Sequence, residues 1–145
     1  MLTGIQKFAN QSVRRKASIP KFAVFNTALL SAQSGKSFIE AKSDPIFWGR
    51  LIESAVGAHL LNGSRGTQIE LFYWREGSLE VDFVLRLGEK IIAIEVKSSR
   101  AAMHHSGMDA FQQQFKPKKL LLVGGQGIPL EDFLTTSPLS LFKDL

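Results

Sequence analysis

The chain has 145 residues, 44% of them hydrophobic and 21% charged, which is the composition of one folded domain rather than of a disordered segment. It has no cysteine, which excludes disulfide bonds, a thiolate nucleophile and cysteine-ligated metal, and no apolar run of the roughly 18 residues that a membrane span needs. The 18 basic and 13 acidic residues give a net charge of +5, a balance compatible with nucleic acid or another polyanion. The sequence also shows no signal-peptide pattern, so we expect a cytoplasmic protein without a membrane segment.

The first forty residues are the part whose structure the sequence decides least. Residues 3–15 are compatible with a helix and end in a short basic cluster at residues 14–16. Further along, residues 22–25 predict a strand and residues 27–32 predict a helix, although helix and strand are hard to tell apart over such short runs.

A long amphipathic helix is the clearest element in the chain. Asp44 is a typical N-cap residue, and Pro45 after it suits the first helical position. The helix is predicted to end at Asn62 and Gly63. Its apolar residues recur at helical spacing and are Phe47, Leu51, Ile52, Ala55, Val56, Leu60 and Leu61.

Glu53 lies on a different stripe of this helix. Gly49 and Gly57 share that stripe, one turn away on either side. Because glycine has no side chain, another element can approach the helix closely on both sides of the carboxylate. We therefore expect close packing against the helix at Glu53.

Three strands, a helix and a further strand follow the long helix. Alternating, β-branched and aromatic residues predict strands over residues 69–74, 79–87 and 91–97, and Gly88 and Glu89 predict a two-residue turn between the last two. In the strand over residues 79–87, one predicted face carries Val81, Phe83, Leu85 and Leu87, and the other carries Glu80, Asp82, Val84 and Arg86. The later predictions are a helix over residues 107–115, a buried parallel strand over 119–123 and a short helix near 130–134.

The hairpin carries the residues with the most chemical information. If the two-residue turn forms, Asp82 lies directly opposite Glu95 and Glu80 opposite Lys97, all on one face. Opposed carboxylates repel each other and need a compensating cation, which Lys97 or a divalent metal would supply. Since the ligands would be oxygen atoms alone, the expected metal is magnesium or manganese. Two alternatives stay open: an ordinary solvated ion-pair face, and a three-residue turn that separates the two acids.

The spacing of these acids resembles that of the PD-(D/E)xK superfamily of restriction-endonuclease-like nucleases. Asp82 is followed thirteen residues later by Glu95 and then by Lys97, Glu53 lies on the preceding helix, and Val81 stands where the motif has proline. The resemblance implies an α/β fold with a restriction-endonuclease-like core, a central mixed β-sheet flanked by helices in the order helix, three strands, helix, strand. It also implies that Asp82, Glu95 and Glu53 bind magnesium or manganese, and that Lys97 orients the attacking water or stabilises the charge developing on phosphorus.

A closer resemblance covers most of the chain. Five segments follow, in order, those of the uncharacterised C-terminal domain of predicted AAA+-type ATPases of bacteria and archaea. Asn26 departs from that family, which usually has aspartate there, but it lies outside the expected metal site. The segments are Pro20-Lys21-Phe22 with Asn26-Thr27-Ala28-Leu29, Gly49-Arg50-Leu51-Ile52-Glu53, Phe72-Tyr73-Trp74-Arg75, Glu80-Val81-Asp82-Phe83 and Ile94-Glu95-Val96-Lys97-Ser98.

That family carries a P-loop ATPase upstream, and this sequence has no P-loop. Residues 34–37 imitate the end of the motif, but its first glycine would fall at Leu30, so no nucleotide binding is expected. We interpret residues 1–40 as the remnant of a connection to a missing ATPase region and residues 41–145 as the nuclease-like domain. The chain then corresponds to the C-terminal part of a larger protein.

Two hypotheses about function follow from these resemblances. The first is magnesium-dependent phosphodiester hydrolysis of DNA, with Asp82, Glu95, Lys97 and Glu53 at the catalytic site. The second is a catalytically inactive, nuclease-derived scaffold that binds nucleic acid, a protein partner or a second copy of itself.

Two further groups of residues are interpreted as structural. Adjacent histidines point in different directions, so His104 and His105 are assigned to a loop rather than to a metal site. Phe72 and Trp74 are assigned to the core rather than to base stacking, because aromatic residues in strands are more often buried.

Overall fold

The fold is built around one mixed, six-stranded sheet with helices on its faces. The computed structural model describes residues 2–9, 18–99 and 106–145. The strands are β1 (Leu2–Lys7), β2 (Lys21–Val24), β3 (Glu70–Glu76), β4 (Leu79–Leu87), β5 (Lys90–Lys97) and β6 (Lys119–Gly124). The helices are α1 (Ala28–Ser34), α2 (Phe38–Ser43), α3 (Pro45–Ser64), α4 (Ser106–Phe115) and α5 (Leu130–Thr135), followed by a 3-10 helix (Pro138–Phe142). None of the helices described is long and apolar enough to cross a membrane.

The strands follow the order β2-β1-β3-β4-β5-β6 across the sheet. β1 runs parallel to β3 and β5 runs parallel to β6, whereas the other neighbours are antiparallel. The predicted α/β class is therefore confirmed, as is the order helix, three strands, helix, strand from α3 to β6. The parallel direction predicted for the strand over residues 119–123 is also confirmed.

The N-terminal region differs most from the prediction. Residues 2–7 form a strand rather than part of a helix, because they pair with β2 on one side and with β3 on the other. Both N-terminal strands thus extend the sheet of the remaining chain. The predicted basic cluster at residues 14–16 and the histidine pair at residues 104–105 lie outside the described residues.

The long predicted helix is confirmed as α3, and its start follows the expected chemistry. The Asp44 carboxylate accepts a hydrogen bond from the Phe47 N–H at 3.0 Å, and Pro45 occupies the first turn. The helix ends at Ser64, one residue after the predicted stop. The capping residues therefore account for the start of α3.

The predicted turn between β4 and β5 sets their register. Leu87 pairs with Lys90, and the pairing continues in step as far as Phe83 and Ile94. Phe83–Ile94 is the last pair of the ladder, so Asp82 and Glu95 do not continue it as a directly opposed pair. The backbone pairing of the two strands therefore ends before the acidic residues.

A β-bulge interrupts the other side of β4. Phe72 of β3 lies opposite Val84, but Trp74 lies opposite Val81, so two residues of β4 face one residue of β3. The bulge shifts the two-residue alternation. Val81 therefore packs with Val84 instead of Phe83, and the faces predicted for this strand are wrong beyond the bulge.

The sheet separates two apolar layers, which we call the α3-side core and the α4-side core. The predicted core positions of Phe72 and Trp74 are confirmed, since both rings are buried in the α4-side core. The α3-side core comprises Ile5, Val56, Leu60, Ile69, Tyr73, Phe83, Leu85, Ile92, Ile94, Val123, Phe133 and Phe142. The α4-side core comprises Phe8, Phe72, Trp74, Val81, Val84, Ala93, Met108 and Phe111.

Candidate functional site

A lysine surrounded by three carboxylates lies between the sheet and α3. The Nζ atom of Lys21 is 2.5 Å from Oε1 of Glu53, 3.4 Å from Oε1 of Glu80 and 3.8 Å from Oδ1 of Asp82. The Lys21 side chain is only 22% exposed, and its Nζ also lies 5.1 Å from the centre of the Phe83 ring. We call Lys21, Glu53, Glu80 and Asp82 the Lys21 cluster.

Close packing of α3 brings Glu53 to this position. A Cβ atom on Gly57 would lie 3.0 Å from Cζ of Phe83, and one on Gly49 would lie 3.3 Å from Oγ of Ser98. Both glycines therefore allow the helix to approach the ends of β4 and β5. This confirms the close approach that the glycines flanking Glu53 predict.

The bulge in β4 brings the other two carboxylates to the same side. Beyond the shift in register, Val81 faces the α4-side core, so Glu80 and Asp82 face the opposite side, where they meet Lys21. The segment before β2 is held in turn by the Tyr73 hydroxyl, which donates a hydrogen bond to the Ile19 carbonyl at 2.6 Å. The cluster therefore joins three parts of the chain that are far apart in sequence.

The electrostatics of the cluster follow from burial and from the excess of acids. Burial and the neighbouring Glu53 raise the pKa of Asp82 from 3.8 to about 6, against the opposing effects of Lys21 and of the Val96 N–H. Burial lowers the pKa of Lys21, but the carboxylates of Glu53, Asp82 and Glu80 outweigh that effect and raise it overall. Lys21 is therefore a protonated cation, and the Asp82 carboxyl group has a pKa raised to about 6.

Glu95 and Lys97 form a separate ion pair. The Lys97 Nζ lies 2.5 Å from Oε1 of Glu95, whose side chain is only 11% exposed. In the alternation of β5, Glu95 follows Ala93 of the α4-side core, whereas Asp82 contacts Lys21 on the α3 side. One contact links the two groups, because Oδ2 of Asp82 accepts a hydrogen bond from the Val96 N–H at 2.8 Å.

The structure therefore brings Glu53 and Asp82 together but leaves Glu95 in a different ion pair. Magnesium needs oxygen ligands at about 2.0–2.1 Å, and here the ammonium group of Lys21 fills the space among the carboxylates. Within the described ranges, no group of three or more acidic or histidine side chains has the geometry to hold a metal ion. In this arrangement the residues do not fit the metal that the sequence pattern implies.

A cleft of about 480 Å³ opens beside the Lys21 cluster. Three of its residues are cationic, and one of them, Arg75, is bound to Glu80 with 2.5 Å between Nη2 and Oε2 while its side chain stays 59% exposed. The cleft and the cluster share Lys21 and Glu80. The lining residues are Lys7, Ser18, Ile19, Pro20, Lys21, Tyr73, Arg75, Gly77 and Glu80.

Sequence reasoning did not assign Lys21, Arg75 or Lys7 to the site. Lys21 reaches Glu53 only because β2 pairs with β1 and β1 pairs with β3. No local sequence pattern predicts this pairing. The position of Arg75 could have been predicted from the sequence. The predicted strands over residues 69–74 and 79–87 follow each other directly, and pairing them brings Arg75 opposite Glu80.

Comparison with known families assigns most of the chain to one protein family. Residues 48–142 match the model of a domain of unknown function, DUF4143. The chain belongs to this family. DUF4143 domains are commonly found in AAA-ATPase-associated proteins, in agreement with the family expected from the sequence. Comparisons with curated proteins and with solved structures gave no match.

The DUF4143 match divides the Lys21 cluster. Glu53, Glu80 and Asp82 lie inside the matched residues, and so do Glu95 and Lys97. Lys21 precedes the match and comes from the N-terminal strand pair. The three carboxylates and the lysine of the cluster are thus far apart in sequence.

Proposed function

We propose that this domain is a nuclease-derived module of the restriction-endonuclease-like type that binds nucleic acid, with DNA as the expected ligand, without cleaving it. The observation that carries the proposal is the cleft, whose cations Lys7, Lys21 and Arg75 lie beside a cluster of carboxylates. The net charge of +5 and the resemblance to nucleases support the same assignment.

The cleft suits a phosphodiester backbone for two physical reasons. Guanidinium and ammonium groups make short, charge-assisted hydrogen bonds to phosphate oxygens, and Arg75 offers a planar donor group that remains largely exposed. Contacts of this kind release counterions from the nucleic acid, so they contribute affinity without reading sequence. We therefore expect binding with weak sequence preference and strong dependence on salt.

Binding without cleavage is supported by the position of Lys21. Metal-dependent hydrolysis needs a divalent cation to polarise the phosphate, and in this arrangement the carboxylates surround an ammonium group instead. An ammonium ion carries one charge and cannot generate a metal-bound hydroxide. The domain would then hold a nucleic-acid strand in position without cleaving it. The occurrence of the family in AAA-ATPase-associated proteins fits such a role.

Charge-neutral substitutions in the cleft test the binding proposal. Lys7→Gln and Arg75→Gln are each expected to weaken binding of a short DNA duplex by about tenfold to a hundredfold, because a hydrogen bond to a charged group contributes about 1.5–3 kcal/mol. Each should also reduce the slope of log affinity against log salt by about 0.9. Fluorescence anisotropy over a salt series measures both quantities.

The matched control is Lys90→Gln. Lys90 is a cation of the same sheet, but it lies at the turn between β4 and β5 and does not line the cleft. Equal losses in all three variants would contradict the assignment to the cleft, because they would show that only the total charge matters.

A second candidate function is magnesium-dependent hydrolysis of DNA at the predicted residues. It is favoured by the hydrogen bond from the Val96 N–H to Asp82, which keeps the Asp82 carboxylate beside the segment that carries Glu95 and Lys97. This candidate requires Lys21 to leave the cluster and Glu53 and Asp82 to become metal ligands.

A plasmid-cleavage assay separates the two functions. If the domain is a nuclease, cleavage depends on magnesium and falls by at least a hundredfold in both Asp82→Ala and Lys97→Met, while Asp109→Asn on the exposed side of α4 has no effect. If the domain only binds, none of the four proteins, including the unaltered chain, cleaves above background. Cleavage that survives both active-site changes would contradict the predicted mechanism.

A further inference from the structure

The Lys21 ammonium group lies among three carboxylates of the domain. It contacts Glu53 of α3 and both Glu80 and Asp82 of β4, at distances of 2.5–3.8 Å. An ordinary surface ion pair joins two exposed side chains, whereas here one cation is shared by three acids and is mostly withdrawn from water. Lys21 is thus the internal counter-ion of the cluster.

Contacts with β1, β3 and β4 hold Lys21 in place. Lys21 is the register partner of Ile5 in β1, and the Tyr73 hydroxyl fixes the adjacent Ile19 carbonyl. The Lys21 side chain also lies over the Phe83 ring. β2 pairs with β1 and lies at the edge of the sheet, so Lys21 sits on a strand that has no partner on its other side among the described residues.

The acids and the lysine of the cluster come from separate parts of the chain. DUF4143 covers residues 48–142, and the three acids of the cluster fall within it, whereas Lys21 does not. The acids come from α3 and β4 and their counter-ion from β2, so the cluster forms only when these parts of the chain are folded together.

We propose that Lys21 acts as a built-in cation that excludes divalent metal from the carboxylates of the DUF4143 domain. Magnesium or manganese would need the same oxygen atoms at about 2.0–2.1 Å, and a doubly charged ion cannot share that space with an ammonium group. Lys21 and the metal are therefore alternative occupants of the same position. The inference rests on the cluster that the second candidate function uses, but it does not depend on nucleic acid binding.

Removing the charge of Lys21 tests this inference. In Lys21→Met, which keeps most of the aliphatic stem, manganese is expected to bind at least tenfold more tightly than in the unaltered chain, as measured by calorimetry in the absence of nucleic acid. Lys21→Arg keeps a cation in place and should bind manganese as weakly as the unaltered chain. The gain in Lys21→Met should disappear when Asp82→Asn is added, and persist when Glu70→Gln, an exposed acid of β3, is added instead.

Two results would overturn the inference. One is equal manganese affinity in Lys21→Met and the unaltered chain when both give the same circular dichroism spectrum. The other needs no lysine variant: micromolar manganese binding by the unaltered chain that Asp82→Asn abolishes would show that Lys21 does not exclude metal. Since nucleic acid is left out of these titrations, their failure leaves the DNA-binding proposal to its own test.

Discussion

Replacing Phe111 by alanine is expected to lower the free energy of unfolding by about 3–5 kcal/mol, the range typical of a fully buried phenylalanine. The Phe111 ring is completely buried in the α4-side core. Its centre lies 5.5 Å from that of Trp74, 5.7 Å from that of Phe8 and 4.7 Å from that of Phe115. The truncation removes these contacts and leaves a cavity between α4 and the sheet. Urea denaturation followed by Trp fluorescence and circular dichroism measures the loss.

Two variants isolate the cause of that loss. Gln113→Ala changes an exposed position of the same helix, and we expect its effect to stay within about 0.5 kcal/mol. Phe111→Leu retains part of the buried volume and should fall between the two. A loss of less than about 1 kcal/mol in Phe111→Ala would show that α4 does not pack on the sheet as described.

The second large effect concerns the dependence of stability on pH. Asp82 has its pKa raised from 3.8 to about 6, chiefly by burial and by Glu53, so the folded protein binds a proton more tightly there than the unfolded chain does. The stabilisation is complete below about pH 4 and is lost as the pH rises through about 6. A difference of about two between the folded and unfolded pKa values of Asp82 corresponds to at most about 3 kcal/mol of unfolding free energy. Because the side chain is 19% exposed, the actual contribution is smaller.

Asp82→Asn measures this effect directly. Asparagine keeps an oxygen that can accept the hydrogen bond from the Val96 N–H, but it carries no charge at any pH. Relative to this variant, the unaltered protein should lose about 2–3 kcal/mol of unfolding free energy between pH 4 and pH 7, and the difference should then level off. Denaturation curves at intervals of one pH unit give the profile, with Asp109→Asn as the matched exposed acid. A profile in which the unaltered protein gains stability over the same interval would mean that attraction to Lys21 outweighs burial.

The parts of the fold that could be predicted are those with local causes. The start of α3 follows from Asp44 and Pro45, and the register of β4 and β5 follows from the turn at Gly88 and Glu89. The close approach at Glu53 follows from the glycines on either side of it. In each case the residues that decide the structure are neighbours in sequence or lie one helical turn apart.

One local signal is present in the sequence but was given a different interpretation. Ser37 and Glu40 form a capping box at the start of α2, with the Ser37 N–H donating to Glu40 at 2.8 Å and the Glu40 N–H donating to Ser37 at 3.3 Å. From the sequence, residues 34–37 are interpreted only as an imitation of a P-loop. A serine followed three residues later by glutamate was the indication of a helix.

The candidate site was only partly predictable, because its assembly depends on contacts between distant residues. Asp82 and Glu53 were predicted as metal ligands, and the structure brings them together around the ammonium group of Lys21, which was not predicted to lie there. β1 has no strong strand pattern of its own, and it forms because β2 and β3 provide partners on both sides. No spacing rule within residues 1–40 connects that strand pair to Glu53.

The bulge in β4 also determines which insertions and deletions this strand can tolerate. The extra residue shifts the alternation of side chains along the strand. Each residue before the bulge therefore points to the opposite face of the sheet from the one it would otherwise face. Losing one residue there would turn Glu80 towards the buried aromatic rings of the α4-side core and Val81 towards Lys21. Insertions and deletions are usually tolerated in loops, but a single-residue gap in this strand would dismantle the acidic cluster while leaving its composition almost unchanged.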